Sequence, residues 1–321
     1  LSISGEEVLD SNSHSIFFKT HALYKKHDKS QESENSMYIT ELPHRGVMEI
    51  EGEDRAPFLQ GLITNDIHLV TPSRSIYTLL LTPQGRFLYD LFIMEKEGTY
   101  LLEGETSRLE DLLKKLNLYK LRSKVTLKLR ADLTVYALWG EGICHLFNLK
   151  EEPGNTQQGI FMDPRLVELG ARTIGLTPSQ NGMLATPQDY DTHRLELGVP
   201  EGGKDLIPEK SIPLECGLDE LNAISWTKGC YMGQELTART KHRGLVRKRL
   251  IPVKIEGDAP EEGTKIFLKN EPVGEMRSHN GSSGLALLRI EALNTQGELV
   301  CGDAHLKPHV PSWMHITIPE D

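Results

Sequence analysis

Apolar and polar positions fall into regular patterns only after residue 36. Met37 to Leu42 and Gly46 to Ile50 have the β-rich composition of short strands. Asp54 stands where it can cap a helix carrying Phe58, Leu59 and Leu62, which runs out at Thr64-Asn65-Asp66. Ser75 to Leu81, Phe87 to Glu95 and Thr99 to Glu103 are separated by turn signals at Pro83-Gln84-Gly85 and Glu97-Gly98, as in an antiparallel meander. Leu109, Leu112, Leu113 and Leu116 share one helical face, preceded by a candidate capping box of Ser107 and Glu110. Val125 to Leu129 and Leu133 to Leu138 return to strand patterning. Helices and antiparallel strands that alternate in this way predict an α+β region without a long parallel sheet.

Further along, Glu151 to Gly159 is rich in Pro, Gly, Asn and Gln and reads as a loop. Asp189 to Leu197 reads as a helix stopped by Gly198-Val199-Pro200, with a flexible Glu201-Gly202-Gly203 after it. Leu250 to Ile255, Lys265 to Leu268, Gly284 to Ile290 and Ala304 to Leu306 are short strands between turn residues, which predicts a small C-terminal β-barrel or sandwich. Residues 1–36, polar and weakly patterned, read as a mobile tail that lacks the basic start and apolar centre of a secretory signal.

Composition narrows the function classes. The chain has 321 residues, 38% hydrophobic, enough for two or three domains. No apolar run reaches the roughly 20 residues that span a bilayer, so no membrane partner is expected. The net charge of -10 argues against general nucleic-acid binding. Cys144, Cys216, Cys230 and Cys301 form no C-x-x-C pair, which indicates neither a zinc cage nor a disulfide framework and fits a reducing compartment. His305 and His309 enclose Pro308, which disfavours the helix that would align them on a metal.

The sharpest chemistry lies in Lys228-Gly229-Cys230-Tyr231-Met232-Gly233-Gln234-Glu235. A cysteine beside a lysine at a helix start is placed for a stabilised thiolate: a nucleophile, a redox centre or a soft-metal ligand. The alternative is a small buried apolar residue. From Leu236 to Lys254 there are seven Lys and Arg residues and no carboxylate, so an anionic partner or a solvated face is expected. Asp90, within an otherwise apolar strand near Arg86, needs a partner, be it a ligand or neighbouring backbone.

The octapeptide matches the K-G-C-[FY]-x-G-Q-E signature of YgfZ-type folate-binding proteins that assist iron-sulfur cluster assembly, and the chain resembles that family, most closely its mitochondrial and α-proteobacterial branch. Phe58 to Asp66, Pro83-Gln84-Gly85-Arg86 with Asp90, and Asp163-Pro164-Arg165 with Leu169-Gly170 extend the likeness over 37–321. Arg194-Leu195-Glu196, Asp205 and Pro213 to Leu218 are similar to the wider superfamily of the glycine cleavage T-protein, an aminomethyltransferase. Tyr190 stands where the T-protein has the arginine of an Arg-Asp pair.

The resemblance implies an α+β fold, a three-domain ring of T-protein type. Its folate-binding region would be 37–247, a discontinuous first domain with an inserted ferredoxin-like domain, and its C-terminal β-barrel 248–321. It also implies tetrahydrofolate or a derivative as cofactor, with Asp90, Arg86, Asn65, Arg194, Tyr231, Gln234, Glu235 and Arg239 as contacts. Cys230, with Lys228 beside it, would be the redox thiol or a transient ligand of a [2Fe-2S] cluster shared with a carrier or client protein. The alternative is a folate-dependent one-carbon transferase with Asp90 as acid-base group. Effects on tRNA modification would be indirect, without nucleic-acid binding. The compartment implied is cytoplasm in a bacterium and the mitochondrial matrix in a eukaryote.

Overall fold

Two open sheets and a closed barrel contain the named strands of the computed structural model, which describes residues 37–177, 182–244 and 246–316. The expected tail over 1–36 lies outside these residues. Strand β1 (Met37–Glu41) belongs to a six-stranded sheet that the chain leaves at once. It then builds a five-stranded sheet from β2 (Arg45–Glu51), α1 (Arg55–Gln60), β3 (Ile76–Leu81), β4 (Phe87–Lys96), β5 (Thr99–Glu105), α2 (Leu109–Lys120) and β6 (Thr126–Leu129), in the order β3-β4-β5-β2-β6. The chain re-enters the first sheet with β7 (Val135–Gly140), antiparallel to β1, followed by α3 (Ile143–Phe147), β8 (Thr156–Gln157), β9 (Ile160–Met162), β10 (Ala171–Ile174) and β11 (Met183–Leu184). The six-stranded sheet is therefore discontinuous in sequence, with the five-stranded one inserted between β1 and β7.

Strands β3 and β4 are apolar nearly throughout because both faces of their sheet are covered. On one face Phe58 and Leu59 of α1 and Leu112 and Leu116 of α2 pack with Met48, Ile50 and Leu102. On the other, Tyr77, Leu79, Phe92 and Leu101 join Val135, Ala137 and Phe161 of the six-stranded sheet. After α4 (Pro187–Glu196) and α5 (Gln234–His242) the barrel closes from β12 (Lys248–Glu256), β13 (Lys265–Leu268), β14 (Glu271–Asn280), β15 (Ser283–Arg289), β16 (Leu299–Cys301) and β17 (Ala304–Pro308). Strand β12 pairs with both β15 and β17, which leaves no free edge.

Some local expectations fail for identifiable reasons. Helix α2 has no side-chain cap; Ser107 Oγ donates to Glu105 Oε1 at 2.6 Å instead of closing a box with Glu110. Asp54 stands at the N-cap of α1 without capping it, because its carboxylate accepts from the Lys124 N–H at 2.7 Å. Helix α4 begins earlier than expected, at a capping box of Thr186 and Asp189. Strand β14 carries Glu, Pro, Gly, Arg, His and Asn and a register shift between Met276 and His279, so it lacks a strand's alternation. Glu201-Gly202-Gly203 is no flexible linker: Glu201 is buried, and a Cβ on Gly202 would stand 2.1 Å from Asp90 Oδ1.

Where the two sheets face each other, the core is ionic. Arg45 on β2 donates to Glu103 on β5 at 2.9 Å and to both Asp90 oxygens at 3.2 Å. Arg172 on β10 also grips Glu103, through Nε at 3.1 Å and a second short contact from Nη2. Arg165 is paired with Asp163 at 2.8 Å, and the Tyr190 hydroxyl accepts from Arg172 at 3.2 Å. The three guanidinium groups surround the ring of Phe92. Burial works against the charge on Arg45, but Asp90 and Glu103 outweigh it and hold the group above its ordinary value. A second node ties α4 to the barrel: Arg194 donates to Asp191 at 2.7 Å, to Asp205 at 2.6 Å and to Ser278 on β14 at 3.2 Å.

Removing one partner of a buried pair strands a charge, so Arg172→Ala is expected to lower unfolding free energy by about 3–5 kcal/mol. Lys265→Ala, which breaks the exposed pair with Glu275, should change it by about 1 kcal/mol or less. Urea unfolding of the two variants checks both values.

Candidate functional site

The Lys228 side chain turns inward. Its ammonium donates to the backbone carbonyls of Gln60, Ile63 and Asn65 at 2.8, 2.6 and 2.9 Å. The first belongs to the last residue of α1 and the other two to the loop that follows it, where a buried carbonyl without a backbone donor needs another partner. Three acceptors use all three protons of an ammonium, so the charged form fills the cage. Burial pulls this group down to about 8, with Asp66 opposing. The segment 58–66 and the octapeptide are thus joined by one side chain. Around it, Ser225 N–H donates to Thr64 O at 3.0 Å and Met232 N–H to Gly61 O at 3.2 Å.

The other end of the octapeptide rests on the β3–β4 turn. Gly233 has φ +83°, and a Cβ there would lie 2.5 Å from Thr82 O; Gly85 has φ +70°, with its Cβ position 3.1 Å from Gly233 O. Only glycine tolerates both the backbone conformation and so close an approach. The Pro-Gln-Gly-Arg turn is therefore a rest for the cysteine loop. Gly229 differs: its backbone is outside the left-handed region, and an added Cβ would meet nothing within 4 Å.

Between these two anchors Cys230 is exposed, while Cys216 and Cys301 are buried and Cys144 is half-buried. Burial pushes the Cys216 thiol up to about 12 and raises Cys144 and Cys301 as well, which makes those three poor thiolates. Contrary to the expectation from the sequence, the cysteine does not begin a helix: α5 starts at Gln234, with Gly233 as its N-cap. Nor does Lys228 serve the thiol, since its protons are committed to carbonyls. Among the described residues no group of three or more His, Cys, Asp or Glu side chains could hold a metal ion, so any metal on Cys230 needs ligands from elsewhere.

The expected folate contacts do not converge. Asp90 is held by Arg45 and by the Tyr77 hydroxyl at 3.4 Å, and Arg194 is buried in its clamp to the barrel. Tyr231 is buried against Lys228, its ring centroid 5.2 Å from the ammonium, and burial pushes its phenol up to about 12. Gln234, Glu235 and Arg239 lie on α5, and Arg86 donates to Lys210 O at 3.1 Å. Only Asn65 of the set lines a cleft of about 850 Å³, and its amide already bonds Tyr77 O and Asn222 O at 2.8 Å. That cleft, which sequence reasoning missed, also has Arg74, Lys150, Glu152, Tyr77, Trp226 and Thr227 in its wall, so two cations and one carboxylate share it and one side is the stem of the cysteine loop. Its residues come from separated segments with no common motif.

Lys228→Met would leave buried acceptors unpaired and should destabilise the protein by about 1–3 kcal/mol. Cys230→Ser, at an exposed position, should stay within about 0.5 kcal/mol of the parent. Chemical denaturation of both variants tests whether the lysine is structural and the cysteine free of structural duty.

Comparison with known proteins bears on the family and the fold. Residues 247–316 match the family model "CAF17, C-terminal beta-barrel domain", the segment that forms the closed barrel. In fold the chain is similar to the glycine cleavage system aminomethyltransferase T of Bartonella henselae, with a TM-score of 0.69 over 87% of each chain at 16% identity, a likeness that concerns the fold alone. It is 36% identical over 301 residues to the mouse "Iron-sulfur cluster assembly factor IBA57, mitochondrial", covering 85% of this chain and 84% of that one. The human protein of the same name is 36% identical over 299 residues, with the same coverage. With that identity sustained along most of both chains, on a T-protein fold with the expected barrel, this chain belongs to the IBA57 family of iron-sulfur cluster assembly factors.

Proposed function

We propose that the protein acts in iron-sulfur cluster assembly by offering Cys230 as one thiolate ligand of a [2Fe-2S] cluster whose other ligands come from a carrier or client protein. The observation that carries this reading is the placement of the sole exposed cysteine on a loop anchored at both ends, by the Lys228 cage and by the Gly233–Gly85 contact. Thiolates are the natural ligands of such clusters, and a sulfur with no protein hydrogen bond is free to bind iron once it loses its proton. A reversible redox step at the same thiol is the variant of this reading that needs no iron. The word mitochondrial in the relatives' names makes the matrix the compartment proposed here. Any effect on tRNA modification would pass through iron-sulfur enzymes.

Mixing the protein with a [2Fe-2S]-loaded carrier should produce a shared cluster with its own visible absorption and circular dichroism. Cys230→Ser should abolish that species; a serine variant that still forms it refutes the ligand role.

Folate enters this proposal as an occupant of the large cleft. Arg74 and Lys150 would bind its carboxylates and Trp226 would flank its rings, and a bound reduced folate would supply a pterin beside the stem of the cysteine loop. The one-carbon transferase alternative draws on the shared fold alone, since Asp90 is consumed by Arg45. Because Trp226 lines the cleft, titration with tetrahydrofolate should quench its fluorescence saturably, and Arg74→Ala should weaken binding. An unchanged emission together with no heat of binding removes folate from the proposal.

A further inference from the structure

The surface around Cys230 combines three features. The first is Gly229, whose open side and ordinary backbone leave no internal reason for a residue without a side chain. The second is apolar exposure on both sides of the loop: Leu236 is 40% exposed, and Trp226 is 38% exposed with the Lys241 ammonium 4.5 Å from its ring centroid. Leu236 overhangs a notch of about 130 Å³, closed by Gln84, Gly85, Arg86, Pro213 and Leu214. The third is charge. Arg239 and Arg243 are four residues apart and share one side of α5 and its C-cap, and Arg247 follows before β12. Lys241 is paired with Asp219 and Arg249 with Glu220, whereas Arg239, Arg243 and Arg247 make no ion pair among the described residues. The opposing carboxylate on α5 is Glu235, alone against this stripe. In a chain of net charge -10 such a concentration of unpaired arginine is a local positive patch.

We infer that this face docks a protein with an acidic surface, which inserts one apolar side chain into the notch beneath Leu236 and brings its own cluster thiolates past Gly229 to Cys230. The inference rests on the cluster-sharing function proposed above and names the chemistry of the partner. Unpaired arginines would steer the approach, the notch would set the register, and the missing side chain at 229 would let the two backbones come close. Charge complementarity favours a protein over a nucleic acid, because the rest of the chain is acidic and would repel an extended phosphate backbone.

Association of a [2Fe-2S]-loaded carrier with the full chain, followed by stopped-flow at several salt concentrations, tests this. Arg239→Glu combined with Arg243→Glu should slow association at least tenfold at low salt and flatten its salt dependence. Lys265→Glu with Lys307→Glu, the same charge change on the exposed barrel, should leave the rate within twofold. Gly229→Val should keep the parent's unfolding midpoint yet reduce formation of the shared cluster at least tenfold. A parent protein that shares a cluster through Cys230, with charge-reversed and Gly229 variants behaving like it, overturns the docking inference and leaves the function standing. A parent that forms no shared cluster removes both. Salt-sensitive tRNA binding by the parent that the arginine reversal abolishes, with carrier association unchanged, also overturns it.

Discussion

Three arginines and three carboxylates, sealed between two sheets around one phenylalanine ring, are the constraint on which the rest of this fold depends. Arg45, Asp90 and Glu103 come from β2, β4 and β5, Arg172 from β10 of the opposite sheet, and Asp163 and Arg165 from the loop between β9 and β10. Glu103 is shared between Arg45 and Arg172, so the inserted sheet and the discontinuous one are joined through a single carboxylate. Such a cluster contributes modestly to net stability, since desolvation offsets much of its attraction, but it is intolerant of any misplacement. It fixes one docking geometry where apolar packing alone would accept several. In a T-protein-like fold this also determines what the centre of the molecule is available for: Asp90 has an internal partner, and the space open to a ligand lies one strand away, by Tyr77 and Trp226.

The same logic, on a smaller scale, holds the cysteine. An inward-facing lysine is an expensive anchor, because burial lowers its affinity for a proton. What offsets that cost is that the last residue of α1 and the loop after it present three carbonyls, and one ammonium satisfies them all. The octapeptide thus divides its labour. Lys228 and Gly233 hold, Tyr231 packs, and Gly229 and Cys230 face outward. A rigid base with an exposed sulfur suits a group that must be offered to another protein without rearrangement.

Much of this was readable beforehand where a residue's role is local. The apolar run of Phe87–Lys96, the alternation of Lys265–Leu268, and the turns at Gly85 and Gly98 made those elements and the closing barrel readable. Strand β14 was not readable, since it is held by pairing on both sides and not by its own pattern. The helix expected to start at Cys230 begins at Gln234 because Gly233, pinned under Thr82 O, forces a left-handed turn first. Ser107 and Asp54 failed as caps because nearer or better partners took them.

The sequence by itself determined the α+β class and the family motif that contains Cys230, because each depends on residue identities within a short span. Whether a charged side chain faces a ligand, a solvent or another protein group was decided only in three dimensions. Lys228, Asp90 and Arg194 each looked like site chemistry and each proved to be bonded to segments far away in the chain. A buried charge takes the best partner within a few ångströms, and which groups come within that distance is a property of the assembled sheets and barrel, not of the neighbours along the chain.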